Sequence, residues 1–108
     1  MKLLELITYF RNGGSYEEFC KSHSIDIESE VVEIYMKKPL KIESELGFFE
    51  IEKTEGNYEY SSDGVAYSNL FDFYYFLDAI EESNNEDNVS LSNEDLTKLL
   101  YSYAINDA

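Results

Sequence analysis

Apolar positions recur with a period near 3.6 at both ends of the chain and with a period near 2 in the middle, which predicts helices flanking a small sheet. Leu3, Leu4, Leu6, Ile7 and Phe10 fall at helical spacing, and Asn12-Gly13-Gly14 ends that helix with residues that tolerate a left-handed backbone. A second helix follows from Ser15. This serine and Glu18, three residues on, form a capping-box pattern, and Tyr16, Phe19 and Cys20 supply the inward face. From Ile27, the positions Ile27, Val31, Ile34 and Tyr35 suit a third helix. The run from Val31 to Met36 also satisfies a strand, and helix is the favoured reading. Pro39, the only proline, marks the exit.

Beyond Pro39 the alternation is that of a strand with one wet face. Leu40 and Ile42 alternate with charged residues, then Phe49, Ile51 and Lys53 alternate with Phe48, Glu50 and Glu52, which makes the wet face acidic. Tyr58-Glu59-Tyr60 and Val65-Ala66-Tyr67 flank Ser61-Ser62-Asp63-Gly64, where Asp-Gly is a strong hairpin signal. Helix returns from about Ser68, with Leu70, Phe73, Phe76, Leu77 and Ile80 on one side, and gives way to a polar loop over Ser83-Asn84-Asn85-Glu86-Asp87-Asn88. A last helix starts after Ser92, with Asp95 three residues on, and buries Leu96, Leu99, Leu100 and Tyr103. The expected fold is α+β in a single domain over residues 1–108: a helical N-terminal segment, a small antiparallel sheet of about three strands, and C-terminal helices packed on it.

Charge adds the first functional information. The 108 residues hold 23 acidic and 8 basic side chains, a formal balance of −15, together with ten Tyr and seven Phe. Disordered acidic segments are poor in aromatics, so this combination describes a folded domain with an intensely negative surface. Residues 1–40 carry five basic against seven acidic side chains, whereas residues 41–108 carry three against sixteen. Like charge at this density works against compactness, so its use is to attract a basic partner or to mimic nucleic acid. The single Cys20 cannot form an internal disulfide, in keeping with a reducing cytoplasmic compartment, and anionic lipid surfaces repel such a chain.

Catalytic and cofactor chemistry finds no pattern to rest on. Gly13-Gly14 lacks the context of a phosphate-binding loop, and there is no nucleophile elbow. Cys20, His23 and Asp26 are too few for a closed metal site; Cys20 reads as a small core residue and His23 as a surface residue near a helix end. The acidic run at 84–88 lacks the Gly and the bidentate Glu of an EF-hand loop. The first forty residues resemble a helix-turn-helix in outline. Their basic residues are offset by neighbouring acids, which argues against direct binding of nucleic acid. The reading is therefore a non-enzyme with no cofactor and no metal.

One stripe stands out. On the helix expected around residues 69–82, Phe71, Tyr75, Asp78 and Glu82 fall on a face separate from the apolar one, bordered by Asp72. Tyrosine supplies contact area at low entropic cost and carboxylates pair with Arg or Lys, so the stripe suits a protein interface, which Glu50 and Glu52 on the strand's wet face extend. The alternative is that Phe71 and Tyr75 are buried and only the acids remain exposed.

The whole chain, in its short helical start, the Phe48-Phe49-Glu50-Ile51-Glu52 run, the Tyr58–Tyr67 hairpin and the Asn69–Leu77 aromatic segment, resembles the small acidic immunity proteins of bacterial polymorphic toxin systems, including contact-dependent growth inhibition. The resemblance is one of size, charge and aromatic texture. It implies a cytosolic, monomeric inhibitor that binds a basic cognate toxin domain, such as a nuclease, and blocks substrate access. A nucleic-acid mimic that inhibits a DNA- or RNA-binding protein, of the anti-restriction or anti-CRISPR type, is the alternative.

Overall fold

The computed structural model describes residues 1–85 and 91–106, and the fold is α+β. In chain order the elements are α1 (Leu3–Arg11), α2 (Tyr16–Ser22), β1 (Val32–Lys37), β2 (Leu46–Glu50), α3 (Ile51–Thr54), β3 (Glu59–Ser62), β4 (Val65–Asp72), α4 (Phe73–Ser83) and α5 (Asn93–Asn106). The sheet has four strands rather than about three, all antiparallel, in the order β2-β1-β4-β3. Of the polar loop expected over 83–88, residues 86–88 lie outside the described residues.

Local signals placed several element ends. The Ser15 hydroxyl accepts from the Glu18 amide at 3.3 Å and the Ser92 hydroxyl from the Asp95 amide at 3.1 Å, so both serines cap the helices they precede. Gly13 takes φ +90°, and the amides of Gly13 and Gly14 fold back onto the carbonyls of Phe10 and Tyr9 to close α1. Asp63 and Gly64 both have positive φ, 51° and 79°, the two-residue turn that suits a right-twisted hairpin and joins β3 to β4.

Three expectations are corrected. Residues 32–37 form a central strand, not a helix. Val32, Ile34 and Met36 enter the main core, while Glu33, Tyr35 and Lys37 alternate to the other face, and the β-branched residues favour this arrangement. Leu40 and Ile42 lie outside any strand, and the strand at Phe49 ends at Glu50, where the chain turns into α3. The segment from Ser68 to Asp72 belongs to β4, and the helix begins at Phe73. Its helical appearance comes from a β-bulge: Ile34 pairs with Phe71 and Tyr35 with Asn69, so Leu70 is an extra residue. The bulge lets consecutive Leu70 and Phe71 both be buried, which imitates helical spacing when it runs into Phe73 and Phe76.

Helices cover one face of the sheet. Phe10, Phe19, Phe48, Phe73 and Phe76 form a network of ring contacts with centroids 5.0–6.0 Å apart in the seam between α1, α2, α4 and the strands. The opposite face carries a second aromatic group. Fully buried Tyr35 is ringed by Phe49 and Tyr60, and its hydroxyl donates to the Asn57 carbonyl. The strand at Phe48-Phe49 therefore has no wet face: Phe48 serves the helices and Phe49 the second cluster.

Arg11 joins the last turn of α1 to the corner between α4 and α5. Its guanidinium donates to the Ser83 carbonyl at 3.1 Å, to the Leu91 carbonyl, and to the side-chain oxygens of Asn84 and Asn93 at 3.3 and 3.1 Å. A planar fork with five donors suits this convergence of acceptors. It orients α5 against α4, and the face described next lies on those two helices.

Candidate functional site

The residues of the expected stripe come from two elements. Phe71 is the penultimate residue of β4 and is buried at 7% exposure, below the surface the stripe was expected to form. Asp72 caps α4, its carboxylate accepting from the Tyr75 amide at 2.7 Å. Tyr75, Asp78 and Glu82 follow on α4 at i, i+3 and i+7, with Tyr75 half-buried and both acids exposed.

Helix α5 completes this surface with two residues expected to be buried. Leu99 is 58% exposed and Tyr103 is 44% exposed. Leu96, Thr97, Leu100 and Ala104 of α5 are buried, and Tyr101 packs partly buried against the core. The Tyr103 ring instead stacks on Tyr75, centroids 5.0 Å apart and planes 14° from parallel. Leu99 and Tyr103 are four residues apart, which was the available signal. A helix with two apolar stripes does not declare which one is inward.

Tyr75 borders two grooves, and Tyr103 joins it at the second. One, of about 350 Å³, runs between α4 and α5 and is bordered by Tyr75, Asp78, Glu82 and Leu99. The other, of about 320 Å³, lies between α5 and the end of β4, bounded by Tyr75 and Tyr103 and carrying Glu33 and Asp72. Among the described residues, no Lys or Arg lines either groove. Asp78, Glu81 and Glu82 further gather around a third depression at the end of α4. The result is an aromatic ridge between acidic flanks.

Glu50 and Glu52 lie elsewhere and have local work. The Glu50 side chain is 12% exposed, accepts from the Asp26 amide at 3.1 Å, and pairs with Lys53 at 3.1 Å. Burial pushes its carboxyl up, but the Asp26 amide, the Lys53 ammonium and its own backbone amide together hold it below the ordinary carboxylate value. Glu52 accepts from the Ser29 hydroxyl at 2.6 Å and the Glu30 amide at 3.2 Å, and these hydrogen bonds lower it as well. The pair staples the 26–30 loop to α3.

Cys20 is buried, with burial raising its thiol despite a hydrogen bond to Tyr16 that acts in the opposite sense. His23 is exposed at the end of α2, its ring lying on Phe19 with centroids 4.2 Å apart. Among the described residues, no three His, Cys, Asp or Glu side chains gather as a metal site, and no helix is long and apolar enough to cross a membrane. Set against known proteins, the chain matches no family model, no curated protein and no solved structure. What the α4–α5 face can do is therefore read from its own chemistry.

Proposed function

We propose that this chain is a stoichiometric inhibitor of the immunity-protein kind, which binds a basic cognate toxin domain, such as a nuclease, through the α4–α5 face. The observation that carries the reading is the stack of exposed Tyr103 on half-buried Tyr75, with exposed Leu99 beside it and Asp72, Asp78 and Glu82 on its flanks. Large aromatic anchors surrounded by charge are the composition of a protein-binding hot spot. A nucleic-acid mimic requires carboxylates in a phosphate-like array, and here Leu99 and Tyr103 interrupt the acids, which favours a protein partner with its own apolar centre.

In this role the net charge steers a basic domain into encounter, with association approaching about 10⁸–10⁹ M⁻¹s⁻¹ at low salt, and the tyrosine ridge holds the complex once formed. Inhibition follows from covering the toxin's substrate-binding surface, in the cytoplasm, by a monomer. The test is capture of partners at low and high salt by cells co-expressing the neighbouring reading frame. One stoichiometric basic protein whose toxicity is abolished on binding is the expected result. A salt-sensitive mixture of many nucleic-acid-binding proteins overturns it in favour of the mimic.

A further inference from the structure

We infer that the groove between α5 and the end of β4 is an arginine-binding slot, occupied by a guanidinium from the basic partner; this rests on the proposed inhibitor function and names the chemistry of its anchor. The groove holds about 320 Å³ and has an apolar floor that includes Leu70, Phe71 and Ala104, each less than 10% exposed. Tyr75 and Tyr103, stacked on each other, form one side. Glu33 and Asp72 supply the charge, and they are register partners on neighbouring strands.

That last relationship points to a cation. Like charges directly opposite on adjacent strands repel one another, and among the described residues no basic side chain lines the groove to relieve them. Both carboxylates are also held in place. Glu33 accepts from the Thr54 hydroxyl at 2.8 Å and the Asn69 amide nitrogen at 2.7 Å, and Asp72 is fixed by its cap to Tyr75. They cannot swing apart into water without breaking these bonds. A positioned pair of carboxylates beside aromatic rings and above an apolar floor complements a flat, weakly hydrated cation with several donors and an aliphatic stem. That description fits arginine better than lysine, whose compact ammonium is strongly hydrated, and better than a metal ion, which has no use for the apolar floor.

The experiment titrates isotopically labelled protein with capped triarginine and capped trilysine, probes of equal charge, and follows tyrosine-ring and carboxylate resonances. Triarginine is expected to shift Tyr75, Tyr103, Glu33 and Asp72, and to bind several-fold more tightly than trilysine. Asp72→Asn keeps an N-cap oxygen and so preserves α4, yet is expected to weaken triarginine binding about ten-fold through loss of a charge-assisted hydrogen bond. Tyr103→Leu is expected to erase the preference for arginine over lysine. Equal binding of the two peptides, shifts scattered over all acidic surfaces, or a response to magnesium alone at these residues overturns the slot. If the intact protein captures one basic toxin while Asp72→Asn and Tyr103→Leu bind it unchanged, the slot fails and the inhibitor function stands. If triarginine selects the groove but no partner is captured, the slot stands and the inhibitor function fails.

Discussion

Phe49 and Tyr60 meet with ring centroids 4.9 Å apart, although they sit on β2 and β3, the two edge strands of the sheet. Three strand spacings of about 4.8 Å separate those strands in a flat sheet, so the contact records how tightly the sheet curls. The curl closes over Tyr35 and makes a second small core on the face opposite the Phe10–Phe76 seam.

Gly47 permits that closure. It is the register partner of Tyr35, and a Cβ there would lie 2.7 Å from a ring carbon of Phe49 and 2.9 Å from one of Tyr67. Gly47→Ala is expected to destabilise the fold by about 1–3 kcal/mol, the usual cost of overpacking. Urea unfolding gives the loss, and a changed tyrosine signal in near-ultraviolet circular dichroism reports displacement of the cluster.

Arg11 predicts a larger effect from a charge that looks dispensable in so acidic a chain. Arg11→Ala leaves the carbonyls of Ser83 and Leu91 and the side chains of Asn84 and Asn93 without this donor, at an expected cost of about 2–3 kcal/mol. Arg11→Lys should recover only part of it, because one ammonium cannot reproduce the fork. Chemical denaturation of the two variants checks both magnitude and order.

At the binding face, function and stability should separate. Asp78→Asn combined with Glu82→Gln is expected to change stability by no more than about 0.5 kcal/mol, since both acids are exposed on α4. The same variant should slow association with a basic partner and flatten its salt dependence, because rim charges act chiefly on the encounter rate. Stopped-flow association at two ionic strengths measures this, and unchanged rates would rule out this choice of surface.

The loop staple predicts a pH dependence. Glu50 is held below its ordinary value in the folded state, so its contribution is complete above the unfolded carboxylate value of about 4.3 and is lost as pH falls through the lower folded value. Glu50→Gln should therefore be less stable than wild type at pH 6, and the gap should narrow progressively below about pH 4. Unfolding curves across that range test the sign directly. Glu52, lowered by Ser29 and the backbone amides, acts in the same direction.

What the sequence by itself determined is what depends on near neighbours in the chain. Ser15 and Ser92 cap their helices with groups three residues away, and Asp63-Gly64 supplies the backbone angles of its own turn. The α+β class and the acidic surface follow from periodicity and composition. Tertiary structure decided every choice that local pattern leaves balanced. The 32–37 segment satisfies both helical and strand periods, and it became a strand because it lies between β2 and β4 with both its faces covered. Leu70 and Phe71 mimic a helix because a bulge turns both inward, and a bulge is defined only by its partner strand. Leu99 and Tyr103 were expected in the core and lie on the surface, because α5 has two apolar stripes and Arg11 and the packing of α5 on α1 select the other one. The Tyr75–Tyr103 ridge and the Glu33–Asp72 pair join residues 28 and 39 positions apart, and only the folded chain brings them together.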